Sequence, residues 1–355
     1  MIVIHLSNED SFKDGGIYFY IRNLLYYQKQ IGINSFWITC RNNNVKVKKS
    51  EILKSISNLK PDIIHIHGIW ALPTFMINDL LKITKNIIVA PHGMLHKNAL
   101  KQSKIKKKLA LLFYEKKNIE KTSFIHVLNK SEGKDVKKIF KKKTFRIIST
   151  GISIPTSSKA IYSHSWLDKI KKQDKILLFL GRLENQKGIR ELLEIWIESR
   201  EEAKKYGWWL LVVGFGSYSD KVNESSLNPS NRIIFNGKAF GKEKESIFRI
   251  SDAYILPSKW EGLPITVLEA LSNKLVCLLT KECNLEKLKK LKSSIEINID
   301  KKKMKKTIIK LFKLTNSELK KRSTIGHKYV KNEHDWLNIA KQSEAYYRDL
   351  LSKEN

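Results

Sequence analysis

Two carboxylates, Glu261 and Glu269, flank Gly262-Leu263-Pro264 in the stretch SKWEGLPITVLEAL. A pair of glutamates suggests acid/base hydrolysis of a glycoside. The residues between them suggest something else. Pro264 suits the first turn of a helix, where its missing N–H costs nothing. The amides of Gly262, Leu263 and Ile265 then stand at a helix N-terminus, a favourable place for a phosphate. Glu269 falls about one and a half turns into that helix, roughly 7.5 Å along its axis. A carboxylate repels a phosphate at short range, so both glutamates make better sense as acceptors for hydroxyls on either side of one. Ribose, diphosphate and sugar in a nucleotide-sugar have that layout. The plainer alternative has Glu261 complementing the helix dipole and Glu269 on the surface.

Cations that could meet a diphosphate lie about eighty residues earlier. In LLFLGRLENQKGIRELL a strand ends at Gly181, followed by Arg182 and then Lys187-Gly188 before a helix. VVGFGS supplies a Gly-x-Gly turn, a weak signal by itself. Gly15-Gly16 precedes the first helix, and His67 and His92 follow strands. Alternation on the HIH strand leads us to expect His65 and His67 on opposite faces, which makes His67 the weaker candidate. No Asp-x-Asp metal motif is evident.

Positioning these residues requires strands that end where they begin. MIVIHL, SFWITC, PDIIHIHG, NIIVAP, FIHVLN and FRIIST read as strands, with helices between them such as TFMINDLLKITK. KILLFLGR, WWLLVVGFG, RIIFNG, AYILPS and LVCLLT repeat the style in the second half. Short β-branched runs alternating with helices predict α/β architecture with parallel, doubly wound sheets. Ligands in such sheets bind at the carboxyl ends of the strands. The expected domains are 1–155 and 156–330, joined near the Ser-rich ISIPTSSKAIYSHS, with a helix in 331–355 crossing back to the first domain. Two Rossmann-like domains then face across a cleft.

The chain has 355 residues and a net charge of +32. Only 10 of its 67 basic residues are Arg, the usual residue for bidentate phosphate and base recognition. That scarcity argues against a nucleic-acid partner. Residues 97–146 hold 17 Lys/Arg against 4 Asp/Glu. There Ile105, Leu109, Leu112 and Phe113 fall at helical spacing among lysines. Such a helix either lies on an anionic membrane or packs its apolar face on its own domain. No apolar run reaches the ~18 residues of a membrane span. MIVIHLSNED reads as a strand rather than a secretory leader. The three scattered cysteines, Cys40, Cys277 and Cys283, suggest a reduced protein without structural zinc.

In order and spacing, GG at 15–16, PDIIHIHG, PHG at 91–93, LGRLENQKG, VVGFG and the Glu-x7-Glu pair Glu261/Glu269 resemble the family 4 glycosyltransferases of the GT-B fold. PHGML and the Lys-rich helix resemble the subgroup of O-antigen and capsule clusters. The resemblance implies a retaining hexosyltransferase, using a UDP- or GDP-sugar and no metal or other cofactor. The implied acceptor is a lipid-linked saccharide in surface polysaccharide synthesis, at the inner face of the plasma membrane. Arg182 and Lys187 would hold the donor diphosphate, contacted also by the amides of Gly262 and Leu263. Glu269 would bind ribose, Glu261 the sugar hydroxyls, and Gly16 would border the diphosphate. His92 would lie near the donor sugar. Two places depart from the family pattern: Thr150-Gly151 stands where Asn-Gly is common, and TKECNLEKL where relatives carry a Gly-Gly loop. The competing classes are a glycoside hydrolase using Glu261 and Glu269, and a basic nucleic-acid-binding protein.

Overall fold

The computed structural model describes residues 1–8, 16–42, 45–101, 104–155 and 162–353. They form two compact units, one of residues 1–151 with 333–355 and the other of residues 152–332.

Unit 1 is built on six parallel strands: β1 (Ile2–Ser7), β2 (Asn34–Thr39), β3 (Ile63–His67), β4 (Ile87–Ala90), β5 (Phe124–Val127) and β6 (Phe145–Ile147). Their spatial order is β2-β1-β3-β4-β5-β6. Helix α1 (Gly16–Gln30) follows β1 and carries Tyr20, Ile21 and Leu24 inward. The chain also has short helices where the sequence predicts one long one. TFMINDLLKITK forms Leu72–Phe75 and Ile77–Leu80, because Met76 leaves helical geometry (φ −82°, ψ 1°) and ends one turn while opening the next. The strand order reverses between β1 and β3. At such a switch point neighbouring crossovers leave on opposite faces and a crevice opens beyond the strand ends.

Unit 2 has the strands β7 (Lys175–Leu180), β8 (Trp208–Val213), β9 (Ile233–Gly237), β10 (Ala253–Leu256), β11 (Val276–Leu279) and β12 (Ser294–Glu296). Their order is β9-β8-β7-β10-β11-β12, all parallel. Five of the six residues of KILLFL and all six of WWLLVV are buried. Continuous apolar runs of this kind mark strands covered on both faces. The helices that concern the site are α2 (Ile189–Glu198), α3 (Gly241–Ile250) and α4 (Ile265–Ser272). Here the order reverses between β7 and β10, whose ends carry Arg182 and Glu261.

The last helix, α5 (Trp336–Leu351), belongs to unit 1. The Asp335 side chain caps it by accepting from Leu337 N. Trp336, Ile339 and Ala340 pack with Tyr20, Ile21 and Leu24. A Cβ at Gly151 would stand 2.3 Å from the Trp336 ring. The glycine of the unusual Thr150-Gly151 pair is therefore what lets this helix seat.

The Lys-rich segment runs helically from Lys104 to Glu120, with one π-helical turn at Leu111–Glu115. It turns Glu115 fully inward and leaves Ile105, Leu109, Leu112 and Phe113 exposed, Leu112 by 76% and Phe113 by 73%. The apolar face does not pack on its own unit.

Candidate functional site

In unit 2 the loop after β7 passes through Gly181, Arg182 and a short 3-10 turn at Asn185–Lys187. Gly188 then starts α2 from a left-handed conformation (φ 70°, ψ 20°). A Cβ there would lie 2.1 Å from the Pro257 carbonyl oxygen. Only glycine combines this backbone with such close packing, and the contact draws the β7 and β10 loops together. Lys259 N donates to Gln186 O at 2.8 Å, and Gln186 Nε2 to Trp260 O at 3.1 Å, which ties them further.

At that junction Lys187 Nζ meets Glu261 Oε1 at 2.5 Å. Ser258 Oγ donates to the same oxygen at 2.6 Å. Both side chains are largely buried, so the pair is poorly screened and strongly orienting. The divergent loop after β11 backs it: Glu261 N donates to Glu282 O, and Asn284 Nδ2 to the carbonyls of Glu261 and Gly262. Thr280 Oγ1 holds Ser258 O at 2.7 Å. TKECN thus acts as a clamp on the Ser258–Gly262 turn, a role its sequence does not announce.

Glu269 lies on α4 and pairs with Lys244 of α3, Nζ to Oε1 at 2.6 Å. Its Oε2 is buried with no hydrogen-bond partner among the described residues. Burial raises its pKa, against the pull of Lys244. An orphaned buried acceptor is costly and fits an oxygen awaiting a donor hydroxyl. Each glutamate thus has its own lysine. Arg182 is exposed and forms no ion pair among the described residues. Gly262 and Leu263 lie half-buried just ahead of α4. The Gly-x-Gly turn has a structural use: a Cβ at Gly214 would meet Gly181 O at 1.8 Å, and one at Gly216 would meet Leu183 O at 2.6 Å.

In unit 1 Gly16 opens α1 and is exposed; Gly15 lies outside the described residues. His92 follows β4 with φ 51°, unusual for a side chain of its size. The next amide, Gly93 N, donates to Glu132 Oε1 at 2.6 Å. His92 Nε2 lies 2.9 Å from His67 Nδ1. The expectation about His65 and His67 fails. Residues two apart on a strand share a face, and their rings stack at 4.3 Å. His5 and His65 are paired in register, and His126 reaches His65 at 3.0 Å. Five histidines therefore form one group, His5, His65, His67 and His126 buried and His92 half-buried at its end. Burial lowers all their pKa values, to about 4 for His5 and His126 and about 3 for His92. The ring nitrogens of His5, His65 and His67 lie close enough together for a metal, but the rings engage one another and their neighbours by hydrogen bonds.

Lys244, Ser258, Asn284 and the histidine group escape a motif reading. For the histidines a signal exists, since IHL, IIHIH and FIHV place a histidine at matching depths of three strands.

Residues 165–328 match the family model described as glycosyl transferases group 1. An uncharacterized glycosyltransferase of Methanocaldococcus jannaschii is 28% identical over 250 residues, 65% of this chain and 58% of that protein. This chain thus spans less than two thirds of that relative's length. The UDP-Gal:alpha-D-GlcNAc-diphosphoundecaprenol alpha-1,3-galactosyltransferase of Escherichia coli is 24% identical over 68% of this chain and 64% of its own. Sucrose-phosphate synthase from Thermosynechococcus elongatus superposes with a TM-score of 0.75 over 99% of this chain and 100% of its own, at 16% identity, a likeness of fold alone. The chain thus has two six-stranded parallel sheets of the GT-B kind, and most of its second unit, residues 165–328, is similar to the glycosyl transferases group 1 family.

Proposed function

We propose that this protein is a retaining hexosyltransferase. It moves a sugar from a nucleotide-sugar to a lipid-linked saccharide in bacterial surface polysaccharide synthesis. The single observation that carries this reading is the junction of Lys187 with Glu261. It lies where the sheet order reverses, just ahead of the α4 N-terminus. A cation, a helix N-terminus and a hydroxyl acceptor in one place suit a sugar diphosphate.

In unit 2, Lys187 and Arg182 stabilise the departing diphosphate, assisted by the amides of Gly262 and Leu263. Glu269 takes ribose hydroxyls on its unpaired Oε2, and Glu261 takes hydroxyls of the donor sugar. In unit 1, Gly16 is assigned to the diphosphate and His92 to the donor sugar. The bond between the anomeric carbon and the diphosphate breaks while the acceptor oxygen bonds to that carbon from the same face. The hydroxyl proton passes to the departing phosphate oxygen, and no metal is required. The name of the E. coli relative supports a UDP-sugar and a polyprenyl diphosphate acceptor. Such an acceptor places the enzyme on the cytoplasmic face of the plasma membrane, where the exposed apolar residues among lysines would dock on anionic lipid.

The test is transfer by Lys187→Ala and Arg182→Ala against a panel of nucleotide-sugars. Each substitution is expected to abolish transfer from the productive donor and to leave the circular dichroism spectrum unchanged. Only that donor should raise the melting temperature of the parent protein. Near-normal turnover in both variants would remove the assignment.

A further inference from the structure

Two backbone carbonyls terminate the histidine group of unit 1 and thereby set the direction of every hydrogen bond in it. His126 Nε2 lies 2.7 Å from Ile148 O, which can only accept. His126 therefore carries its proton on Nε2 and accepts at Nδ1 from His65 Nε2, 3.0 Å away. His65 Nδ1 must then accept from the Tyr347 hydroxyl at 2.8 Å. At the other terminus Ser343 Oγ donates to Ala340 O at 2.7 Å, and so accepts from Gln28 Nε2 at 3.0 Å. The same Gln28 amide reaches the Tyr347 oxygen at 3.3 Å. Both contacts turn the Gln28 carbonyl toward His5 Nε2, 2.8 Å away, which must donate. His5 Nδ1 then accepts from His67 Nε2 at 2.9 Å, and His67 Nδ1 from His92 Nε2 at 2.9 Å.

We infer that Gln28, Tyr347 and Ser343, acting through His5 and His67, hold His92 in a single tautomer. Its proton sits on Nε2, and Nδ1 is left as an acceptor for a hydroxyl of the sugar. The inference rests on the assignment of His92 to the donor sugar. It adds positioning residues from α1 and α5, helices that carry no residue of the proposed donor site except Gly16. Each of the five rings donates once from Nε2 and accepts once at Nδ1, except that Nδ1 of His92 has no partner among the described residues. A ring in the opposite tautomer would set two N–H groups, or two lone pairs, against each other at about 2.9 Å. Burial supports neutral rings throughout. In this scheme His92 Nδ1 accepts a hydrogen bond from a sugar hydroxyl and cannot donate one, so it favours donors with a free hydroxyl at that position over those with an ether or keto oxygen there.

The experiment uses the full chain labelled with 15N-histidine and long-range 1H–15N correlation at pH 7. All five rings of the group are expected as neutral Nε2–H tautomers. His92 found as Nδ1–H or as imidazolium, or stoichiometric zinc on His5, His65 and His67, would overturn the proposal. Gln28→Ala removes the acceptor that fixes His5 and frees the His5–His67–His92 chain to invert. His92 should then show mixed tautomers, and kcat should fall about tenfold, as for other orienting partners, while KM for the nucleotide-sugar holds. Gln28→Glu retains an acceptor for His5 and should restore much of kcat. An unchanged His92 tautomer in Gln28→Ala would also overturn the proposal. The tautomer measurement needs no turnover, so it fails or holds separately from the glycosyl-transfer reading.

Discussion

Glu115 is a buried carboxyl outside the proposed donor site. Its Oε1 accepts from Trp70 N and Thr74 Oγ1 at 2.5 and 2.7 Å. Its Oε2 has no partner among the described residues. Burial outweighs these bonds and raises its pKa from 4.5 to about 7. The folded protein thus holds this proton more tightly than the unfolded chain. Its contribution to stability is full below pH 4.5 and is lost as the pH rises to about 7. Each tenfold in that proton equilibrium is about 1.4 kcal/mol, so the loss amounts to roughly 3 kcal/mol. Urea unfolding should show Glu115→Gln gaining on the parent between pH 4.5 and 7 and levelling above. A difference independent of pH would refute the account. Around Glu261 the sequence conveyed residue types but not pairings. The glutamates and Lys187 stand out by spacing, whereas Lys244 is one lysine among 57 until α3 lies beside α4.

At the scale of elements, the donor-side loops hold together because glycines let backbones touch. Gly188 has both a left-handed backbone and a carbonyl at contact distance. Gly188→Ala should cost about 1–3 kcal/mol from backbone strain alone, and more as Pro257 is pushed away. Because that shift separates Lys187 from Glu261, donor affinity should fall along with the melting temperature. A variant that melts lower yet binds the nucleotide-sugar as tightly as the parent would show that the loop contact does not shape the site. The strands and most helices were legible because their signals are local. Buried strands read as continuous apolar runs, and Pro264 marks the start of α4. The π turn at Leu111–Glu115 was not legible, since the shift to i→i+5 bonding within the helix ladder has no signature of its own. It decides that Glu115 points inward while Leu112 and Phe113 stay out.

Taken whole, the molecule carries +32 charges, and Ile105, Leu109, Leu112 and Phe113 project among exposed lysines. Among the described residues no helix is long and apolar enough to cross a membrane. Surface docking needs both ingredients, apolar area and attraction to anionic lipid, the latter about 1 kcal/mol per lysine near the surface. The protein should cosediment with phosphatidylglycerol vesicles and far less with phosphatidylcholine. Leu112→Glu combined with Phe113→Glu should weaken that binding and leave the melting temperature unchanged, because both side chains are exposed. Equal binding of the double variant would exclude this face. By itself the sequence determined the α/β class, the two runs of parallel strands, and the residue types at the strand ends. These depend on periodicity and turn chemistry over a few residues. Only the tertiary structure decided who meets whom. Lys187 and Glu261 are 74 residues apart, His5 and His67 62, and Gln28 and Ser343 315. Such pairs depend on strand order and on where the last helix docks, and one buried apolar strand looks much like another to its own neighbours in sequence.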